Sequence, residues 1–106
     1  MTTWYKLSDK KEIIALPPGE YPDYSDPNRI VKKDHLTISK IDVDVSTVFL
    51  CLDHSFSKEG PPLLFETMIF GGPYDSYQER YHTYKEALEG HNKLVEKLIN
   101  GENPYS

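Results

Sequence analysis

One cysteine, Cys51, in 106 residues leaves this chain without an internal disulfide. That fits a reducing compartment. Its neighbours in the sequence are apolar, so it reads as a small buried hydrophobe and not as a reactive thiol. No apolar run approaches the roughly 20 residues that a spanning helix requires, and the first residues carry no secretory pattern. The expected setting is the cytoplasm, with no membrane contact. Basic residues are scarce as well: 12 Lys and Arg stand against 17 Asp and Glu, a net charge of −5. The basic clusters go no further than the pairs Lys10–Lys11 and Lys32–Lys33. Nucleic-acid binding depends on Lys and Arg meeting phosphates, so the charge argues against nucleic acid as a partner. An acid excess of this size is ordinary for a soluble domain, and it would also suit a basic groove on another protein. Complete chemical motifs are lacking too. Gly71-Gly72-Pro73 has neither the further glycine nor the Lys-Ser/Thr of a phosphate loop, no HExxH occurs, and Ser46 and Ser55 lie in no GxSxG elbow. No metal or cofactor is expected.

What is present describes a fold. The length suits a single domain, residues 1–106, with one core. Residues 4–7 and 12–16 read as a short hairpin around the polar Ser8-Asp9-Lys10-Lys11. Pro17-Pro18-Gly19 ends it, and residues 20–29 read as a loop with room for one helical turn after a Ser or Asp cap. Apolar residues are spaced unevenly over 30–38. Ile41, Val43, Val45, Thr47, Phe49 and Cys51 then alternate with Asp42, Asp44 and Ser46, the period of a strand with one buried face. From Val48 to Leu52 every residue is apolar, which predicts cover on both sides. A turn over 55–62 leads to a return strand over 63–70, closed by Gly71-Gly72-Pro73, and residues 80–82 offer a short edge strand. Residues 83–100 form an amphipathic helix: Thr83 and Glu86 make a capping box. Tyr84, Ala87, Leu88, His91, Leu94, Val95, Leu98 and Ile99 make one apolar stripe, and Gly101 ends it. Gly90 in mid-helix costs about 1 kcal/mol relative to alanine, and a close approach to the sheet would explain it. The expected class is α+β: a mostly antiparallel four- to five-stranded sheet with one C-terminal helix packed on one face.

Four polar residues stand in apolar company: Asp53, His54, Glu66 and His91. Side chains alternate strictly along a strand, so in an unbulged antiparallel pair either Asp53 or His54 shares a face with Glu66. A helix on that face would bring His91 to them, and a carboxylate beside an imidazole is the minimum equipment for acid–base chemistry. The simpler account is a packed histidine with a satisfied hydrogen bond and a glutamate on an open face. His35 and His82 read as surface residues. Tyr74, Tyr77, Arg80 and Tyr81 are binding candidates, because tyrosine and arginine commonly anchor interfaces. Tyr81 and Tyr84 would equally pack at the sheet–helix junction.

The succession VSTVFLCLDHSF, PPLLFETMIFGG and ERYHTYKEALEGH resembles a family of small bacteriophage and bacterial proteins that carry the same three blocks, here over residues 43–95. The resemblance implies a phage accessory product and brings no activity with it. Three functions follow as expectations. The first is a non-enzymatic protein that binds a host or anti-phage defence protein. The second is a small hydrolase acting on a nucleotide-like ligand through the Asp/His/Glu group. The third is a small-molecule sponge built from tyrosines, Arg80 and the Gly-Gly turn. A homodimer is also expected, because one helix leaves the other sheet face open.

Overall fold

Val43, Val45, Thr47 and Phe49, the odd-numbered residues of the alternating segment, are all buried on one face of a strand. The computed structural model describes residues 3–53 and 59–106. In chain order it contains β1 (Tyr5–Leu7), β2 (Ile13–Ala15), a 3-10 turn (Pro27–Arg29), β3 (Ile30–Ile38), β4 (Ile41–Phe49), β5 (Phe65–Phe70), β6 (Gln78–Tyr81) and α1 (Tyr84–Ile99). The last four strands form an antiparallel sheet in the order β3-β4-β5-β6, and β1 and β2 make a separate hairpin. The helix packs across one face of the larger sheet, so the architecture is α+β as the pattern predicts. No helix among the described residues is long and apolar enough to cross a membrane.

Two strands depart from their expected form. Residues 30–38 make a full nine-residue edge strand despite their uneven spacing. Ser39 and Lys40 both take positive φ, the backbone of a tight hairpin turn, and this returns the chain directly along β4. The pattern is uneven because the helix-facing side of β3 carries Lys32 and Asp34 beside Leu36, and because its register slips between Ile30 and Lys32. β4 stops at Phe49, short of residues 50–52. Cys51 turns the chain in the left-handed region at φ 67°, and its carbonyl accepts from the Tyr5 amide at 2.9 Å. Leu52 bridges to Trp4, so the first hairpin is fastened to the end of the sheet. Cys51 itself is buried, and burial pushes its thiol pKa up, consistent with an inert packed residue. Val48 is only half-buried and lies on the open face, so the expected cover on both sides is missing there among the described residues.

The helix begins as its capping box dictates. Thr83 Oγ1 accepts from the Glu86 amide at 3.1 Å, and Glu86 accepts from the Thr83 amide at 3.1 Å. Ala87, His91, Leu94 and Leu98 face the sheet, whereas Ile99 is exposed and falls outside the stripe. A β-carbon at Gly90 would overlap the ring of Tyr81. The close approach therefore comes from a β6 side chain and not from the sheet backbone.

Candidate functional site

The two halves of the core are divided by a polar row. On one side Leu7, Phe49, Leu64, Phe65 and Ala87 pack together; on the other, Val43, Val45, Ile69, Leu94 and Leu98. Between them strand register sets Lys32, Thr47, Thr67 and Glu79 side by side across β3, β4, β5 and β6. His91 descends from the helix onto this row. Its Nδ1 lies 2.7 Å from Thr47 Oγ1, which is 2.5 Å from Thr67 Oγ1. Its Nε2 lies 2.7 Å from Asp34 Oδ2 at the β3 edge. Further along, at the β6 edge, the Tyr81 hydroxyl donates to Glu79 Oε2 at 3.3 Å. Tyr77 donates to the same oxygen at 2.9 Å. Lys32 Nζ stands 3.9 Å from Asp34 and donates to Asn92 at 2.6 Å. Burial, and then the Glu79 carboxylate, raise the Tyr77 phenol well above its usual range. Burial also pushes Tyr81 up to about 12.

Every buried side-chain polar atom among the described residues is satisfied, as a row through an apolar core requires. Asp34, His91 and Thr47 stand in the order of a carboxylate–imidazole–hydroxyl triad. His91 and Thr47 are nevertheless completely inaccessible to solvent, so a substrate carbonyl or phosphoryl group cannot reach the hydroxyl while the helix is seated. What the row does is tie the helix to β3, β4 and β5 in one register through His91, Asp34, Thr47 and Thr67.

The polar residues singled out in the sequence do not assemble. Glu66 pairs with Val48 and Arg80 on the outer face, opposite the helix, whereas His91 lies on the inner one. The grouping is lost because the helix covers the odd-numbered face of β5, with Phe65, Thr67 and Ile69. Glu66 Oε2 accepts from Arg80 Nε at 2.9 Å and from Gln78 Nε2 at 2.6 Å. Asp53 lies beyond the end of β4, where alternation no longer applies, and its Oδ1 accepts the Leu63 amide at 2.9 Å. His54 lies outside the described residues. The binding candidates divide similarly. Tyr77 and Tyr81 are buried under the helix, Tyr74 packs half-buried against the second core cluster, and only Arg80 faces the open side. His82 is half-buried, with Nδ1 3.0 Å from the Pro62 carbonyl.

The sequence does not single out Asp34 and Thr47, the hydrogen-bond partners of His91, or Thr67 and Glu79 beside them in the row. One signal was present, since the period of two places Thr47 on the same face as Val45 and Phe49. Asp34 sits in the unevenly patterned strand and gave no such indication.

The outer face is the other constructed surface. Ile30, Val48, Glu66 and Arg80 form one cross-strand row, and Lys33, Ser46, Met68 and Gln78 the next. His35, Asp44 and Phe70 form a third. Phe70 is 48% and Ile30 43% exposed. Lys33, His35, Asp44, Ser46 and Phe70 line a shallow recess of about 470 Å³. His35 Nδ1 lies 2.7 Å from Asp44 and Nε2 3.3 Å from Asp42. The Asp44 hydrogen bond and charge raise the His35 pKa above 6.5. A raised folded value stabilises the fold below the unfolded value, and that contribution disappears as pH rises through the folded one. An NMR titration is expected to place the His35 midpoint above 6.5, and Asp44→Asn to bring it down; an unchanged midpoint would refute the pairing.

In comparisons with known proteins, no family model, curated protein or solved structure matches the chain.

Proposed function

We propose that this protein acts by binding another protein through the open outer face of its sheet. Its expected setting is that of a phage-type accessory product that modulates a host or anti-phage defence component. The observation that carries the reading is the composition of this face. Phe70, Met68, Val48 and Ile30 stand among the paired Glu66–Arg80 and His35–Asp44, and the helix covers only the opposite side. Apolar anchors within a rim of paired charges are the usual make-up of a docking surface.

The sheet edges compete poorly for this role. β3 carries Lys32 and Lys33, an inward-facing Asp34 and an irregular register, all of which discourage strand addition. β6 is only four residues long. The hydrolase alternative loses its support where Glu66 and His91 take opposite faces. The sponge alternative needed Tyr77 and Tyr81 at the surface and an open Gly-Gly turn. Both tyrosines are buried, and a β-carbon at Gly71 would meet the Asp42 carbonyl.

Affinity capture with wild type and Phe70→Asp tests the proposal. The substitution places a charge on an exposed site and should leave the thermal unfolding midpoint nearly unchanged. The expected result is a stoichiometric partner held by wild type and lost by the variant. Equal capture by both would reject the outer face. If light scattering finds a wild-type dimer that Phe70→Asp dissociates, the face is occupied by a second copy instead.

A further inference from the structure

One end of the apolar core is incompletely closed. The helix stops at Ile99, and Gly101 turns the chain at φ 74°. On the inner side the β3–β4 hairpin ends with Ile38 and Ile41, which pair across its turn. The helix does not cover the second of these: Ile41 is 47% exposed, although it shares strand parity with buried Val43 and Val45. Between the hairpin tip, the helix end and the Gly-Gly-Pro turn lies a cavity of about 140 Å³. Buried Val43, Ile69 and Leu98 meet it from the core, and Ile38, Ile41 and Tyr74 stand nearer solvent. Gly71 builds another wall. A β-carbon there would come within 2.6 Å of the Asp42 carbonyl oxygen, so the turn backbone lies directly against β4. The Gly71 amide donates to Asp75 Oδ1 at 2.8 Å, which holds that wall in place. The residues after the helix are engaged elsewhere, for the Tyr105 ring packs 4.9 Å from Tyr77 and 6.3 Å from Tyr74.

We propose that this cavity binds a small amine that carries one apolar group of about benzene size. Volume sets the apolar half, because a cavity of about 150 Å³ with aliphatic and aromatic walls takes up benzene. Side chains around such a space lack dispersion partners on one side, and a fitting group supplies them. Charge sets the other half. Glu102 is the one charged residue lining the cavity among the described residues. Its side chain is exposed, and no hydrogen bond or ion pair engages the carboxylate among the described residues. The carbonyl end of α1 beside it adds further negative potential. An ammonium group is therefore favoured at the mouth, and a carboxylate is repelled. The cavity lies on the inner side of the sheet, away from the outer face proposed to bind protein. It also uses aliphatic side chains where the sponge alternative relied on tyrosines and Arg80.

The test is a methyl NMR titration of the full chain with benzylamine, using benzyl alcohol as its neutral counterpart. The expected result is a saturable shift of the Ile38, Ile41, Ile69 and Leu98 methyls, half-complete at roughly 1 mM or below. Nuclear Overhauser contacts should place the benzyl ring against Ile69 and Leu98. Benzylamine should bind about two- to fivefold more tightly than the alcohol, the worth of an exposed ion pair. Glu102→Gln should remove that preference and leave the alcohol unaffected. Ile41→Trp puts an indole at a half-exposed site on the cavity. It should abolish the benzylamine response while the other methyl signals keep their native dispersion. Shifts that do not saturate, or a ring located outside the cavity, would overturn the proposal. So would undiminished binding in Ile41→Trp, or the same preference for the amine in Glu102→Gln.

Discussion

His91→Ala is expected to be strongly destabilising, lowering unfolding free energy by about 3–4 kcal/mol. The imidazole is fully buried, so its removal leaves a cavity in a packed core, and core truncations of this size cost about 2–5 kcal/mol. Thr47, fully buried, loses one of its two partners, adding roughly 1 kcal/mol. Asp34 contributes little to the loss, because its side chain is one-third exposed and can turn to solvent. For a domain of this length the thermal midpoint should fall by roughly 4–8 °C per kcal/mol. Urea unfolding measures the loss directly, and a change below about 1 kcal/mol would contradict the described packing. A second variant separates shape from hydrogen bonding. His91→Leu combined with Thr47→Val and Thr67→Val replaces the row by apolar groups of similar volume. Because no donor or acceptor is then stranded, it should recover much of the stability lost by His91→Ala.

The second large effect concerns Gly90, and there the expected sign opposes helix propensity. In an isolated helix Gly→Ala gains about 1 kcal/mol. Here the new β-carbon would occupy the position of the Tyr81 ring. That ring is buried and its hydroxyl donates to Glu79, so it cannot simply rotate away. Gly90→Ala should therefore destabilise by roughly 1–3 kcal/mol, the range for an overpacked core. In a Tyr81→Ala background the same substitution should become neutral or stabilising, giving a coupling energy of at least about 1 kcal/mol in a double-mutant cycle. Additive behaviour would show that the glycine has another purpose.

The elements legible in the sequence are those with strong local signals. The α1 capping box, the alternation along β4 and the Gly-Gly stop after β5 each act over a few residues, and each reappears in the structure. β3 was less legible because its inner side is partly polar, and polarity there makes sense only once His91 is known to lie above it. The proposed Glu66–His91 grouping depended on which face of β5 the helix would choose. Alternation fixes that Glu66 and Thr67 oppose one another, but both faces of β5 are largely buried, as Phe65, Glu66 and Thr67 show. Local pattern therefore could not choose between them. Asp53 was misplaced for a different reason: the left-handed turn at Cys51 breaks the β4 alternation, and a cysteine gives little hint of a positive φ.

His91 illustrates both the reach and the limit of such reading. A histidine within an apolar stripe identified the helix position around which the buried polar row is arranged. Its partners Thr47 and Asp34 come from two different strands, 44 and 57 residues away, and only register brings those together.

The account depends most on the sheet having one sealed face and one working face, and two adjacent residues of β4 test it. Ser46 points outward beside Met68, whereas Thr47 points inward beside Thr67. With native Cys51 buried, Ser46→Cys and Thr47→Cys can be exposed separately to a thiol reagent under native conditions. The account predicts rapid modification at position 46 and, at position 47, protection that lasts until the chain unfolds. Equal rates at the two positions would contradict it, because the inner row would then be open and the outer face would lose its claim to be the binding surface.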